Sequence, residues 1–264
     1  MHRWIIRRLP WFLWVGACVV LFIALVFPIT NTLIRLITVL GVVVVWFGLI
    51  ALLWRHGIVR LTLLVLTGVV AVFILLPERA HPDRDALRNR YIERLRRYEG
   101  VTYVWGGEGP TGIDCSGLIR RGLIDALLLT GMQSLDPGPV RRALALWWSD
   151  CRASALGQCR DKITTPVSEA PSVNRLDHAV VAPGDLAVTA NGVHVMAYLG
   201  DQVWIEADPG LGRVVAVPVP APDNPWFRVP IRIVRWSILD DRREHLTTQS
   251  TEQPSTGVSG RRSP

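Results

Sequence analysis

Three uncharged, strongly apolar stretches occupy the first third of the chain, at residues 11–30, 36–54 and 61–77. A helix rising 1.5 Å per residue needs about 20 residues to cross the roughly 30 Å hydrocarbon core of a bilayer. The pattern therefore predicts three transmembrane helices, the third near the lower length limit, making 1–77 a membrane domain. Beyond Pro77 the pattern changes. Residues 84–98 (RDALRNRYIERLRRY) place Leu87, Tyr91, Leu95 and Tyr98 at helical spacing, which predicts an amphipathic helix. Residues 115–131 repeat Leu118, Ile119, Leu123, Ala126 and Leu127 in the same manner and stop at a glycine. Residues 183–210 (PGDLAVTANGVHVMAYLGDQVWIEADPG) alternate instead, and predict three short strands joined by turns at Asn191-Gly192 and at Gly200-Asp201-Gln202. A soluble domain thus spans 78–240. The polar tail 241–264 has no apolar period and is expected to be disordered.

Composition sharpens this division. Half of the 264 residues are hydrophobic and only 19% are charged, which excludes a disordered chain. The formal charge of +7 is not spread evenly. Residues 1–77 hold six arginines and no acid, whereas the remainder is nearly balanced at 23 basic and 22 acidic side chains. Arginines beside apolar runs report membrane topology, so a nucleic-acid partner is disfavoured. Arg3, Arg7 and Arg8 precede the first span, Arg55 and Arg60 separate the second from the third, and only Arg35 separates the first from the second. The positive-inside rule puts the N-terminus in the cytoplasm. Three crossings then deliver the soluble domain to the outer face of a multi-pass protein of the cytoplasmic (inner) membrane.

The candidate chemistry is concentrated in two segments. Cys115 follows a glycine loop (Gly106, Gly107, Gly109, Gly112) and opens the predicted helix, with Asp114 as its N-cap. The free amides and dipole of a helix start favour a thiolate, the nucleophilic form of cysteine. His194 lies on the middle strand, sharing a face with Met196 and Tyr198. With a three-residue turn after Leu199, His194 falls opposite Asp208 and Glu206 becomes its diagonal neighbour on the same face. Parity alone admits either acid as the partner that orients the imidazole.

YVWGGEGPTGIDCSGL, PGDLAV, GVHVMAYLG and VWIEADP, in this order, resemble the NlpC-type family of cell-wall cysteine peptidases over about residues 85–236. The resemblance implies an α+β, papain-like fold, an antiparallel sheet packed against helices, with the nucleophile at a helix N-terminus and the base on an adjacent strand. Carried over by position, it implies Cys115 as nucleophile, His194 as general base and Glu206 as the third polar residue, where many relatives have histidine. It also implies that Tyr103 helps with the oxyanion, and that Asp114 and Ser116 meet the free amine of a peptidoglycan stem peptide. The implied reaction is hydrolysis of the stem between D-glutamate and the diamino acid, with no cofactor and no metal.

Two alternatives stand beside hydrolysis: thiol acyl transfer, as in relatives with permuted order, and an inactive membrane-tethered scaffold. The order of Cys115 before His194 favours hydrolysis, and the intact Cys/His/acid set disfavours the scaffold. The segment between the Cys115 helix and PGDLAV is longer than the family usually has. It is expected to border the cleft, and its Cys151 and Cys159 are a disulfide suited to an oxidising compartment, unpaired thiols or, least favoured for want of companion histidines, a metal site.

Overall fold

The computed structural model describes residues 2–79, 83–149 and 151–240, so the expected tail at 241–264 lies outside the described residues. Helices α1 (His2–Val26), α2 (Thr32–Leu52) and α3 (Gly57–Leu75) correspond to the three apolar stretches. All three are long and apolar enough to cross a membrane. Each begins several residues before its apolar run, because a polar residue can continue a helix that a hydropathy pattern does not register. α1 continues through Pro10 and ends just before Phe27-Pro28, where the residue preceding proline leaves the helical region. Asn31 caps α2 by accepting from Ile34 N at 2.9 Å. Two indoles inside the apolar segments satisfy their N–H groups between helices: Trp14 Nε1 donates to Val45 O, and Trp46 Nε1 to Thr67 Oγ1, each at 2.9 Å.

The soluble part begins with α4 (Arg84–Arg96), whose Leu87, Tyr91 and Leu95 are buried as the amphipathic pattern requires. A short ribbon, β1 (Glu108–Gly109) and β2 (Gly112–Ile113), leads into α5 (Cys115–Ser134). α6 (Pro137–Trp148) and α7 (Ala153–Gly157) follow. A six-stranded antiparallel sheet completes the domain in the order β3-β8-β4-β5-β6-β7. Its strands are β3 (Thr164–Ala170), β4 (Leu186–Thr189), β5 (Val195–Gly200), β6 (Val203–Asp208), β7 (Arg213–Pro218) and β8 (Ile231–Trp236). This is the expected α+β arrangement behind three apolar helices.

The sheet buries both faces. Val195, Ala197, Ile205 and Ala207 pack with Leu118, Ile119, Leu95 and Tyr91 of the helices. Met196, Tyr198 and Trp204 pack on the other side with Val173 and Phe227. Asp185, from the PGDLAV segment, is buried and grips Arg235 of β8 through Oδ1 to Nε at 2.6 Å and Oδ2 to Nη2 at 2.8 Å. That two-point grip ties β4 to β8 at one end of the sheet.

One expectation needs correction, and two other readings gain detail. The second turn holds two residues, Asp201 and Gln202, both left-handed at φ 52° and 58°, and Leu199 forms a bulge. The register beyond the bulge is the one the longer turn gave, since Ala197 pairs with Ile205 and Tyr198 with Trp204. Next, the long segment after α5 does more than border a cleft. Its α6 packs between α5 and α3, and Arg141 Nη1 caps the end of α3 by donating to Ile74 O at 2.8 Å and Leu76 O at 2.7 Å. Cys151 and Cys159, left open above, are not bonded to each other.

Candidate active site

The loop ahead of α5 is held by main-chain bonds. Val104 N donates to Ile113 O at 3.1 Å, Tyr103 N to Gly212 O at 2.8 Å, and Asp114 N to Gly107 O at 3.0 Å. Glycine is needed where α5 meets this loop: a Cβ on Gly117 would run into Gly107 O, and one on Gly107 into Gly112 O. Asp114 caps the helix through Oδ1, which accepts from Gly117 N at 2.6 Å and from Ser116 Oγ at 2.9 Å. Its Oδ2 accepts from Gly106 N at 2.9 Å and so fixes the preceding turn as well. Cys115 is therefore the first residue of α5, where main-chain amides lack helical partners. It is mostly buried, with Sγ 4.0 Å from Val193 O.

Val193 belongs to the turn between β4 and β5, and the next residue is His194. Thr189 sets the imidazole's backbone: His194 N donates to Thr189 Oγ1 at 3.0 Å, and Thr189 N donates to His194 O at 3.0 Å. The α7 helix supports this turn, with Ser154 packed directly on Gly192. His194 Nε2 lies 2.6 Å from Glu206 Oε2, and both side chains are almost completely removed from solvent. With Nε2 taken by the carboxylate, Nδ1 is the ring nitrogen left for the thiol.

The parity argument left two acids open, and the geometry separates them. Glu206 reaches the imidazole, whereas Asp208 closes the β6–β7 hairpin by accepting from Gly210 N at 2.6 Å and Leu211 N at 3.3 Å.

Two further residues complete the surroundings of the imidazole. Asn224 Nδ2 donates to Glu206 Oε1 at 2.6 Å, so both carboxylate oxygens are engaged. Asn224 Oδ1 in turn accepts from Trp226 N at 2.9 Å, and the Trp226 ring stacks on His194 at 4.2 Å with 19° between planes. Sequence reasoning missed both. The only signal available was an N-cap asparagine followed by Pro225 and an aromatic residue, which by itself specifies a local turn.

Electrostatics follow from this packing. Burial alone would lower the pKa of His194, but hydrogen bonds and negative charge from Cys115 and Glu206 outweigh it and push it up to about 9. Stacking on an electron-rich indole face also favours the imidazolium. Tyr103 is half-buried beside the same group. Its pKa is pushed up to about 12 by burial and then by the charges of Cys115 and Asp114, so the phenol keeps its proton as a donor. His194 is thus held between the Cys115 thiol and the Glu206 carboxylate, next to a neutral phenol hydroxyl. Among the described residues, no cluster of His, Cys, Asp and Glu has the geometry to hold a metal ion.

Residues 100–221 match the model of the NlpC/P60 family. They form an NlpC/P60 domain. Tyr103, Asp114, Cys115, Ser116, His194 and Glu206 all lie inside the NlpC/P60 match, whereas Asn224 and Trp226 fall just beyond it. Among curated proteins nothing matches the chain. Solved NlpC/P60 structures do. NlpC1 from Trichomonas vaginalis is 16% identical, with 61% of this chain and 46% of that one covered and a TM-score of 0.39. The P60 domain of an antigen from M. avium subspecies paratuberculosis is 23% identical, covering 60% and 98%, with a TM-score of 0.36. The peptidoglycan hydrolase RipB from Mycobacterium tuberculosis is 20% identical, covering 58% and 65%, with a TM-score of 0.36. The chain spans about half the length of NlpC1 and NlpC2 from Trichomonas vaginalis.

Proposed function

We propose that this protein is a membrane-anchored cysteine peptidase that hydrolyses amide bonds in peptidoglycan stem peptides. The observation carrying this reading is the buried His194–Glu206 contact, with Cys115 as the imidazole's other partner. In the first half-reaction, Cys115 Sγ attacks the scissile carbonyl carbon and the carbonyl oxygen becomes an oxyanion. The Cys115 amide and the Tyr103 hydroxyl stabilise that charge. His194 passes its proton to the leaving nitrogen, the C–N bond breaks, and a thioester remains. In the second, neutral His194 takes a proton from water, the hydroxide adds to the thioester, and collapse releases the acid and returns the sulfur.

Glu206 holds the ring in one tautomer and balances the imidazolium throughout. Asp114 and Ser116 meet the free amine of the stem. Asp114 Oδ2 accepts one N–H, that of Gly106, among the described residues, and an oxygen with two lone pairs can take a second donor there. The bond cleaved is the one between D-glutamate and the diamino acid.

The same reading places the N-terminus in the cytoplasm and the peptidase outside. Arg8 lies near the start of α1 and Arg55 and Arg60 lie at or near the α2–α3 connection, whereas Arg35, the lone arginine between the first two apolar runs, lies in α2 and is buried against Glu108 rather than offered to solvent. Such a buried, paired arginine does not weigh in the charge balance of the loops.

The test is mass spectrometry of muropeptides incubated with the full chain in detergent micelles. Two fragments parted between D-glutamate and the diamino acid are expected, and none with Cys115→Ala. Intact stems after incubation with the folded wild-type chain would overturn the proposed activity.

A further inference from the structure

The apolar helices do more than sit beside the soluble domain, because the connection between α1 and α2 is built into the loop that carries Cys115. Residues 28–30 run antiparallel to residues 106–108. Thr30 N donates to Gly106 O at 2.8 Å, Glu108 N donates to Pro28 O at 3.3 Å, and Ile29 faces Gly107 as a β-bridge. Thr111 Oγ1 adds a bond to Val26 O at 2.9 Å, and the Ile29 side chain closes over Gly106. The connection is therefore an extra strand on the β1–β2 ribbon. Gly107, its central partner, accepts the amide of Asp114, the residue before the nucleophile. Only one residue of glycine loop separates the membrane hairpin from the N-cap of α5.

A buried charge cluster locks this contact. Glu108 Oε2 is 3.1 Å from Arg35 Nη2 of α2, and its Oε1 is 3.1 Å from Arg120 Nη2 of α5. All three side chains are almost fully buried. Arg120 Nη2 also donates to Leu146 O at 2.8 Å and Ser149 O at 2.6 Å, and Arg35 Nη1 donates to Trp148 O at 3.4 Å. One carboxylate thus joins a membrane helix, the nucleophile helix and the end of α6. An arginine in the first turn of an apolar helix is costly to bury unless a partner is supplied, and the partner comes from the Cys115 loop.

We propose that the α1–α2 connection is a working part of the peptidase, with Arg35 as a positioning residue that holds the Cys115 loop in its reactive geometry through Glu108. The inference rests on Cys115 being the nucleophile, as set out above. Displacing a reacting group by about 1 Å costs up to roughly a hundredfold in rate, so a loop released from its extra strand should lose much of its reactivity.

The test uses the full chain in nanodiscs and needs no substrate. Iodoacetamide labelling of the Cys115 peptide gives the reactivity, and amide hydrogen exchange over residues 104–115 gives the state of the loop. Arg35→Met should raise exchange and slow labelling by about tenfold or more, and kcat on muropeptides should fall with little change in KM. Arg35→Lys, which keeps the charge, should bring labelling back to within about threefold of wild type. Should Arg35→Met fail to assemble, Glu108→Gln removes the charge from the domain side and should slow labelling comparably.

Wild-type labelling in Arg35→Met, or in Glu108→Gln where the first does not assemble, would overturn the proposal. So would loosened exchange with unchanged labelling, which would make the contact structural only. A wild-type chain that leaves stems intact would count against the substrate, while the labelling difference still upheld the positioning role.

Discussion

The two halves of the site are built by different means. The nucleophile half is main chain: a glycine loop, a capping aspartate, and an added strand from the apolar helix hairpin, closed by one buried carboxylate between two arginines. The base half is side chain: an imidazole between a carboxylate and an indole, with one asparagine holding both partners. Main-chain support depends on where distant segments dock. Side-chain support travels with the sheet. The nucleophile half is thus open to influence from the apolar helices, and the base half is self-contained.

This contrast orders the expected effects of mutation. Glu206→Gln keeps the shape but removes the charge facing Nε2, and should lower kcat/KM by about a hundredfold, comparable to the loss of an orienting partner elsewhere. It should also move the alkaline limb. The imidazolium must supply a proton to the leaving nitrogen, so activity is present while His194 is protonated and falls as pH rises through about 9. Without the Glu206 charge that fall should begin at lower pH; a limb left near 9 would mean that the carboxylate does not act on the ring.

Asn224→Ala frees one oxygen of the same carboxylate and loosens Trp226, and a loss of about tenfold is expected, with the limb shifted in the same direction but less. Trp226→Ala removes only the stacked face, and about threefold is expected. Equal losses in all three variants would show that the base half fails as a block rather than as a graded network. None of the three should alter hydrogen exchange at residues 104–115, because none touches the glycine loop.

Legibility in the sequence followed the same division. The residues around Cys115 were readable because the loop, cap and helix start are consecutive, so local spacing reports them. The His194–Glu206 relation was readable because strand parity survives the shorter turn: the Leu199 bulge absorbs the extra residue before the register reaches the site. Asn224 and Trp226 were hidden because a 3-10 turn far along the chain has no period that would aim it at β6.

The docking of residues 28–30 was the least visible. The sequence presents them as a connector between two apolar runs, and the bridge partner of Ile29, Gly107, lies far along the chain in the glycine loop. Arg35 looked like a loop charge and is instead a buried ion-pair partner, since the acid that accepts it comes from a glycine-rich segment that looks structureless. Trp46, an indole in the middle of an apolar run, has its N–H satisfied by Thr67 of the neighbouring helix.

Activation of the Cys115 sulfur by His194 is tested most directly by the rate of Cys115 alkylation at pH 7. In the wild-type chain Cys115 should label at least about tenfold faster than Cys159, and His194→Ala should bring it down to the rate of that ordinary thiol. Unchanged rapid labelling of Cys115 in His194→Ala would contradict the account.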